Sequence, residues 1–276
     1  MPGNPNRAVA ISETARRFRL ATWNVNSLGA RIERVEEWLE YAQPDVLCLQ
    51  ETKMSDESFP ALEFASLGYE AVHHGNGQWN GVAILSRVGL GDVRKAFTGE
   101  NPDTVAECRI IAATCQGIRV FSVYVPNGRS VGSEHYQAKL AWMSRLRHEI
   151  SGAFKPDGLV AVCGDFNIAP DDRDVWDPLH FEGSTHVTES ERAALNELLD
   201  WGFVDVFRSH HSDGDLFTWW DYRGGGFHRH HGMRIDLVLA TQELARSSTF
   251  ALVDRNARKG QRPSDHAPVL VDFELT

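Results

Sequence analysis

The sequence predicts an α/β protein, and three features of the chain support this class. Residues 159–163 are apolar without alternation, as in a strand that is buried on both faces. Residues 46–50 form a second run of this kind, after a segment with helical spacing of apolar residues. The middle of the chain contains several strand-like segments with short connections, which are typical of antiparallel hairpins. Together they indicate a fold in which helices pack on sheets.

The composition limits the class of protein. The chain has 276 residues, 42% of them hydrophobic and 24% charged, and contains no Pro/Gly/Ser-rich linker. We therefore expect one large domain over residues 18–276, preceded by a frayed extension over residues 1–17. No apolar run approaches the ~18 residues of a membrane span, and the polar start lacks the features of a secretory signal. The four cysteines lie singly, which favours reduced core thiols in a cytoplasmic protein.

Charge is distributed unevenly along the chain. The formal net charge of −10, considered alone, argues against a nucleic-acid partner. Residues 223–235 nevertheless contain arginines and histidines without any acid, residues 255–262 are also basic, and these stretches directly precede Asp236 and His266. A polyanion could bind there, because phosphate contacts are local. Solvated loops are the alternative, and the histidines at 228, 230 and 231 are more typical of electrostatic than of metal-binding behaviour.

The first two predicted strands both end in polar residues. Residues 18–24 form the first strand and end in Asn24, residues 32–39 show helical spacing, and residues 46–50 form a strand that leads into Glu51. An amide and a carboxylate at neighbouring strand ends could hold a hard divalent cation through oxygen. Loop capping is the alternative for this pair.

The middle of the chain is rich in predicted strands. Candidate strands cover residues 70–74, 81–86, 106–114 and 118–125, and their short connections predict antiparallel pairing. The last of them ends in Tyr124, followed by Asn127 and Arg129, so polar groups again gather where a strand finishes. Residues 136–150 then show the apolar spacing of a long helix.

The buried strand at residues 159–163 leads directly into Gly164, Asp165 and Asn167. We expect Gly164 to allow a sharp turn at the carboxyl end of the strand, where α/β sheets place their ligands. Asp165 and Asn167 would then lie at the rim of the sheet. A simple Asx turn is the alternative for this motif when it is considered alone.

The segments after Asn167 are predicted to have structural roles. Residues 171–177 are rich in aspartate but lack the glycine and final glutamate of an EF-hand, which indicates a solvated, self-capping loop. Residues 189–201 form a helix that begins with a capping box. Residues 216–222 form an aromatic strand, in which one of Trp219 and Trp220 is expected to belong to the core.

Six motifs in order resemble the exonuclease III family of abasic-site endonucleases, within the endonuclease/exonuclease/phosphatase superfamily that includes deoxyribonuclease I. The motifs are Thr22-Trp23-Asn24-Val25-Asn26, Leu49-Gln50-Glu51-Thr52-Lys53, Tyr124-Val125-Pro126-Asn127, Gly164-Asp165-Phe166-Asn167, Arg234-Ile235-Asp236 and Ser264-Asp265-His266. Single motifs of this kind are weak, but the ordered set is specific. The resemblance implies a deoxyribonuclease I-like fold: a four-layer α/β sandwich of two mixed, mostly antiparallel sheets packed face to face, with helices outside.

The resemblance also implies roles for particular residues. The expected catalytic residues are Asp165, His266, Asp236, Asn167, Tyr124 and Asn127; the expected metal ligands are Glu51, Asn24, Asn26 and Asp265; and the expected DNA and abasic-pocket residues are Trp219, Ile235, Met233, Arg129 and Arg234. Asp165 would activate or orient the attacking water, and cationic His266 would stabilise phosphoryl charge. The implied cofactor is Mg²⁺, with Mn²⁺ as a substitute, because oxygen ligands suit hard cations.

The function implied by this resemblance is a DNA repair nuclease of base excision repair that acts in the cytoplasm as a monomer. It would incise double-stranded DNA 5′ to abasic sites, and it would remove nucleotides or blocking phosphoesters from 3′ ends. Two alternatives stay open. One is a phosphatase or sphingomyelinase-like phosphoesterase of the same superfamily, and the other is an inactive protein that binds DNA ends.

Overall fold

Two six-stranded sheets pack face to face in the computed structural model, which describes residues 16–275. The strands are β1 Arg16–Asn24, β2 Val46–Gln50, β3 Glu70–His74, β4 Val82–Ser86, β5 Gly91–Lys95, β6 Ile110–Cys115, β7 Ile118–Tyr124, β8 Val160–Asp165, β9 Phe203–Asp205, β10 Trp219–Trp220, β11 Gly232–Met233, β12 Asp236–Thr241, β13 Ser248–Val253 and β14 Val269–Leu275. The α-helices are α1 Ile32–Ala42, α2 Ala61–Ser66, α3 Glu134–Ala153, α4 Glu189–Trp201, α5 Val206–His210, α6 Gly226–Arg229 and α7 Gln242–Arg246.

Both sheets combine one parallel strand pair with antiparallel neighbours. The first sheet has the order β13-β14-β1-β2-β4-β3, and the second has the order β5-β6-β7-β8-β12-β9. Only β1 with β2 and β7 with β8 are parallel among the paired strands of these sheets in residues 16–275. The prediction of mixed, mostly antiparallel sheets is confirmed.

Three apolar clusters separate the four layers. Val46 and Cys48 of β2 belong to the cluster between the sheets, whereas Leu47 and Leu49 of the same strand belong to the cluster under α1 and α2. A third cluster joins the outer face of the second sheet to α3 and α4. The apolar run of β2 is therefore buried on both faces, which is the reason that it shows no alternation.

The start of the described chain differs slightly from the predicted boundary. Residues 1–15 of the predicted extension lie outside the described residues, but Arg16 and Arg17 are part of β1 and pair with β14. The boundary predicted at residue 18 is therefore two residues too late. Arg17 and Arg19 both form ion pairs with Asp272 of β14. These ion pairs join β1 to β14 at this end of the strand.

Gly164 has a different role from the predicted turn. It lies inside β8, which continues to Asp165, and its φ is +152°. A side chain at this position would overlap the backbone carbonyl of Val123 on the neighbouring parallel strand. The glycine is required because two backbones approach closely, so the expectation of a sharp turn at Gly164 is wrong.

Several smaller predictions were tested by the structure. The four cysteines are free and buried, as expected for core thiols. The aspartate-rich loop does form a capping box at Asp171, but it is not fully solvated, because Asp174 is completely buried. The strand predicted over residues 216–222 is limited to β10, and the strand predicted over residues 106–114 begins only at Ile110. Within residues 16–275, no helix has the length and apolar content needed to cross a bilayer.

Candidate active site

The sheet topology brings the predicted polar residues to one edge of the sandwich. Asn24 ends β1, and the parallel neighbour β2 leads into Glu51 at the same edge. In the second sheet, Asp165 at the end of β8 lies between Tyr124 on β7 and Asp236 on β12. β12 runs antiparallel to β8, so it begins where β8 ends. Strand direction thus gathers residues that are more than 200 positions apart in the chain.

Asn24 connects the two sheets at this edge. Its fully buried side-chain amide donates hydrogen bonds to Glu51 Oε1 and to Asp165 Oδ2, both at 2.9 Å. Its Oδ1 accepts a bond from the backbone N–H of Asn26 at 3.0 Å. One amide therefore holds carboxylates from both sheets at a short separation.

His266 is held by one aspartate and faces another. Its Nδ1 lies 2.8 Å from Asp236 Oδ2, and its Nε2 lies 3.8 Å from Asp165 Oδ2. Burial alone would lower the pKa of His266, but the charges of Asp236, Asp165 and Asp265 outweigh it and raise the pKa. The ring is therefore an imidazolium at neutral pH, with Nε2–H directed towards the site.

Asp165 occupies the centre of this acidic group. Burial raises the pKa of the Asp165 carboxyl, the Asp236 and Glu51 charges raise it further, and His266 opposes them. The backbone N–H of Asn167 donates to Asp165 Oδ1 at 2.8 Å. A buried carboxyl with a raised pKa is suited to accept a proton near neutral pH.

Glu51, Asp165 and His266 each offer one potential ligand atom, and these atoms lie within 4.8 Å of one another. Because His266 is protonated, the donors that fit a cation are the carboxylate oxygens of Glu51 and Asp165. Burial would raise the pKa of Glu51, but Lys53 and Asn24 outweigh it, so this carboxylate is charged at neutral pH. Two carboxylates that converge in a buried place fit a hard divalent cation.

Asn26 and Asp265, the other predicted metal ligands, lie beside this group and are bonded to each other. Asn26 Nδ2 donates to Asp265 Oδ1 at 3.0 Å, and Lys53 Nζ donates to Asn26 Oδ1 at 2.6 Å. The second oxygen of Asp265 accepts from Trp219 Nε1 at 3.1 Å. Ligation by Asn26 and Asp265 remains a prediction.

Several non-glycine residues at or beside the site have a positive φ. They include Asn26 at 44°, Glu51 at 52°, Lys53 at 53°, Asn167 at 51° and His186 at 85°. A left-handed backbone conformation costs free energy for any residue with a side chain. Such conformations often occur at functional sites, where a particular geometry is required.

Asn127 and Asn167 form the other wall of the site. Asn127 Nδ2 donates to Asn167 Oδ1 at 3.1 Å, and Asn167 Nδ2 donates to the Val125 carbonyl at 3.0 Å. Tyr124 lies next to them, with the Arg109 guanidinium 4.5 Å above its ring. Burial and the nearby Glu51 and Asp165 charges raise the pKa of Tyr124, so its hydroxyl keeps its proton.

Four residues at this wall were not found by the sequence analysis. His186 Nε2 lies 3.1 Å from Asn167 Oδ1 and 3.2 Å from Asn127 Nδ2, and burial together with the Lys139 charge lowers the pKa of His186 to about 4. Lys139 and Glu191 form a fully buried ion pair behind it. The fourth residue is Arg109. Lys139 could have been found, because it is a charged residue within the apolar pattern of α3. No local pattern indicates His186 or Arg109.

The residues predicted to form an apolar pocket do belong to one cluster. Ile235 and Met233 are buried against Ala169 and Val175, and Trp219 packs on this cluster while remaining partly exposed. Trp220 is completely buried, which confirms that one of the two tryptophans belongs to the core. Recognition of an abasic sugar by this cluster remains a prediction.

Arg129 and Arg234 differ in their surroundings. Arg129 is exposed on the wall of a groove of about 710 Å³ that also includes Tyr124 and Asn127. Arg234 is 1% exposed and is paired with Asp174 at 2.7 Å and with Asp205 at 2.7 Å. The expectation that Arg234 contacts DNA is therefore wrong, because its charge is fully used inside the protein.

The histidine-rich loop packs onto aromatic residues. His231 stacks on Trp176 with ring centroids 3.7 Å apart, and His230 Nε2 lies 2.8 Å from the Asp215 carbonyl. In the part of the chain that the structure describes, the only cluster of potential ligands suited to a metal is the one around Glu51 and Asp165. The electrostatic role expected for His228, His230 and His231 remains a prediction.

Comparison with known proteins identifies the family. Residues 21–266 match the model of the Endonuclease/Exonuclease/phosphatase family. Exodeoxyribonuclease III of Haemophilus influenzae is 33% identical over 272 residues, which cover 93% of this chain and 100% of that protein.

Solved structures agree with that assignment. An AP endonuclease from Archaeoglobus fulgidus superposes with a TM-score of 0.90 at 38% identity, covering 94% of this chain and 100% of that one. The 3′-5′ exonuclease NExo from Neisseria meningitidis gives 0.89 at 38% identity, with 93% and 100% coverage. A structure of NExo described as a 3′ phosphatase is bound to a product DNA hairpin. The chain belongs to the endonuclease/exonuclease/phosphatase family and, within it, to the exonuclease III group of AP endonucleases.

Proposed function

We propose that the protein is a Mg²⁺-dependent DNA repair nuclease that incises 5′ to abasic sites and removes nucleotides, phosphates and other phosphoesters from 3′ ends. The observation that supports it most is the convergence of Asp165, Glu51 and protonated His266 within a few ångströms, opposite Asn127 and Asn167. Asp165 is a proton acceptor, His266 supplies a positive charge, and the two asparagines supply amide donors. Phosphodiester hydrolysis requires groups of these kinds.

Asp165 accepts the proton of the attacking water in the proposed reaction. The water oxygen bonds to phosphorus as the bond from phosphorus to the leaving oxygen breaks, and the leaving oxygen takes up a proton from bulk water. Asn167, whose backbone N–H already orients Asp165, contributes its side chain to the water and to a phosphoryl oxygen. A positioned base of this kind contributes roughly 10²–10⁴-fold to the rate.

His266, Tyr124 and Asn127 act on the phosphate in this proposal. The Nε2–H of His266 donates to a phosphoryl oxygen, and Asp236 maintains the charge of the ring. Tyr124 keeps its hydroxyl proton and can donate it in a hydrogen bond to the phosphate or the leaving oxygen. Asn127 is exposed at the mouth of the site, where its amide can reach the same phosphate.

Glu51 would hold the divalent cation, with Asn24, Asn26 and Asp265 beside it. Mg²⁺, or Mn²⁺ as its substitute, would neutralise negative charge on the phosphoryl group when bound. Lys53 lies 2.8 Å from Glu51 and adds a fixed positive charge to this side of the site.

Basic residues near the site support DNA as the substrate despite the acidic net charge. Arg262, Lys259 and Arg255 are exposed in the segment that leads to Asp265 and His266. Arg31, from the start of α1, reaches the same rim, where it donates to the Arg262 carbonyl at 3.2 Å. Duplex phosphates bind such local charges and release counterions. The names of the relatives, an AP endonuclease and a 3′-5′ exonuclease, support the same substrate.

The decisive test uses three labelled duplexes: one with a single abasic site, one with a recessed 3′ end and one with a 3′-phosphate. We expect Mg²⁺-dependent nicking 5′ to the lesion and processing of both 3′ ends, all abolished by EDTA. Asp165→Asn is the matched control, because it removes the acceptor and keeps the shape. A protein that is silent on all three duplexes would contradict the proposal, and hydrolysis of sphingomyelin or a phosphoinositide would favour the small-phosphoester alternative.

The cellular setting is part of the same proposal. The protein would work on DNA in the cytoplasm as a monomer, and the similarity to a bacterial exodeoxyribonuclease III supports DNA as its substrate. Size-exclusion chromatography with light scattering tests the monomer, and fractionation of the source cells tests the location.

A further inference from the structure

A buried ion pair lies beneath the two asparagines of the active site. Lys139 of α3 and Glu191 of α4 both have fully buried side chains, and the ammonium is bonded to the carboxylate. Removing two charges from water is expensive, and a buried pair is commonly no more stabilising than apolar residues of the same size. The pair lies beside an apolar cluster to which both helices contribute, so its presence needs an explanation other than stability.

Lys139 binds the backbone of both asparagines. Its ammonium donates to the Asn167 carbonyl at 2.7 Å and to the Asn127 carbonyl at 3.4 Å. These carbonyls belong to the segments that follow β8 and β7, so one cation joins the two loops. Gly128 leaves room for the lysine, because a Cβ there would lie 3.1 Å from Lys139 Cδ.

Glu191 adds a third segment through one of its two oxygens. Oε1 accepts from Thr185 Oγ1 at 2.6 Å and from the backbone N–H of His186 at 2.9 Å, in addition to Lys139. Oε2 accepts from the Thr188 backbone N–H at 3.1 Å and from its hydroxyl at 2.8 Å, which caps α4. Helix capping uses only Oε2, so the contacts of Oε1 serve the loops of the site.

The three segments meet again through their side chains. Asn127, Asn167 and His186 form a triangle of polar atoms, with Nδ2 to Oδ1 at 3.1 Å, Nε2 to Oδ1 at 3.1 Å and Nδ2 to Nε2 at 3.2 Å. The backbone of each member is bonded to Lys139 or Glu191. A shift of the ion pair would therefore displace all three side chains.

We propose that Lys139 and Glu191 are positioning residues that set the geometry of Asn127, Asn167 and His186 at the scissile phosphate. This inference rests on the proposed function, because those three side chains are assigned to the phosphate there or border it. The pair itself touches neither substrate nor reacting atoms.

The kinetic test compares Lys139→Met, Glu191→Gln and the double variant. We expect Lys139→Met to lower kcat about 100-fold with little change in KM, the loss typical of a displacement of about 1 Å in a site. Each single variant leaves a buried charge unpaired and lowers the melting temperature. The double variant removes both charges, so we expect it to regain stability while kcat stays low. Recovery of kcat together with stability would overturn the proposal.

Arg19→Met is the control for loss of a partly buried ion pair away from the site. Arg19 pairs with Asp272 near the end of β1 opposite Asn24, and it touches no residue of the site. We expect a lower melting temperature with an unchanged kcat for this variant. If Lys139→Met and Arg19→Met lost kcat equally at equal stability, positioning would be excluded.

A crystal structure of the double variant separates this proposal from the proposed function. We expect the 3.1 Å bond from Asn127 Nδ2 to Asn167 Oδ1 to be broken. If it is kept, the pair does not position these residues, whatever the enzyme cleaves. A wild-type protein that cleaves no DNA, with this bond broken in the variant, would contradict the proposed function but support the positioning role.

Discussion

His266 and Asp236 form a buried pair in which the ring nitrogen Nδ1 lies 2.8 Å from the carboxylate Oδ2, while the other carboxylate oxygen, Oδ1, has no hydrogen-bond partner among residues 16–275. The carboxylate holds the ring in one orientation, and its charge opposes the effect of burial on the pKa of His266. On the other side of the ring, Nε2 lies 3.8 Å from Asp165 Oδ2. The positive charge of His266 therefore faces Asp165 in the active site.

Asp236→Asn is expected to shift the pH profile of the nuclease. Since Asp236 raises the pKa of His266, its neutralisation lowers that pKa, and the imidazolium is lost at a lower pH. The alkaline limb of kcat/KM against pH should therefore move to lower pH, with a rate loss of roughly 10²-fold at pH 8. A rate loss without any movement of the alkaline limb would contradict this role.

Asp165→Asn should abolish catalysis and stabilise the fold. Burial and neighbouring charges raise the pKa of Asp165 above its value in the unfolded chain. The free energy of unfolding therefore decreases as pH rises above ~3.9, because the unfolded chain loses this proton more easily than the native state does. Without metal, the variant should melt at a higher temperature than the wild type at pH 8, and the difference should shrink towards pH 4. Thermal melting in EDTA measures this, and no gain in melting temperature at pH 8 would contradict it.

His73 should make the protein acid-sensitive. Burial lowers its pKa to about 4 despite the opposing charge of Asp56, whereas the unfolded chain protonates near the ordinary value of about 6.5. The unfolded state therefore binds more protons between these values, and the free energy of unfolding decreases as pH falls through that window, by on the order of 3 kcal/mol from this residue. Urea titrations of the wild type and of His73→Gln, whose slope with pH should be flatter, test the assignment.

Trp219 offers a test of lesion recognition. It is partly exposed on the apolar cluster and donates to Asp265 through Nε1. Trp219→Phe keeps an aromatic surface but loses the hydrogen bond, whereas Trp219→Ala loses both. If the cluster receives the abasic sugar, Trp219→Ala should lower the rate of incision at the lesion strongly and the rate of 3′-phosphate hydrolysis much less. We expect the two losses to differ at least tenfold, on the order of the 1–3 kcal/mol of an aromatic contact. Equal losses on the two substrates would assign Trp219 to the reaction centre instead.

The sequence alone predicted much of this protein, because the relevant signals are local. A buried strand followed by Asp165 or Glu51 is read from consecutive residues, and Glu51, Asp165 and His266, which come from three of the six motifs, do lie close together. The capping box of α4 and the burial of one of the two tryptophans at 219 and 220 are likewise properties of short segments. Patterns of this kind reflect backbone geometry and burial of the segment itself.

The tertiary structure decided which side chains meet and which charges remain available. Arg234 belongs to a basic stretch in the sequence, yet Asp174 and Asp205 neutralise it inside the protein. Lys139, Glu191 and His186 are separated by up to 52 positions, and only the packing of α3 against α4 brings them beneath Asn127 and Asn167. The reason is physical: burial and Coulomb interaction depend on distance in space, and residues far apart in the chain acquire that distance only when the sheets and helices pack.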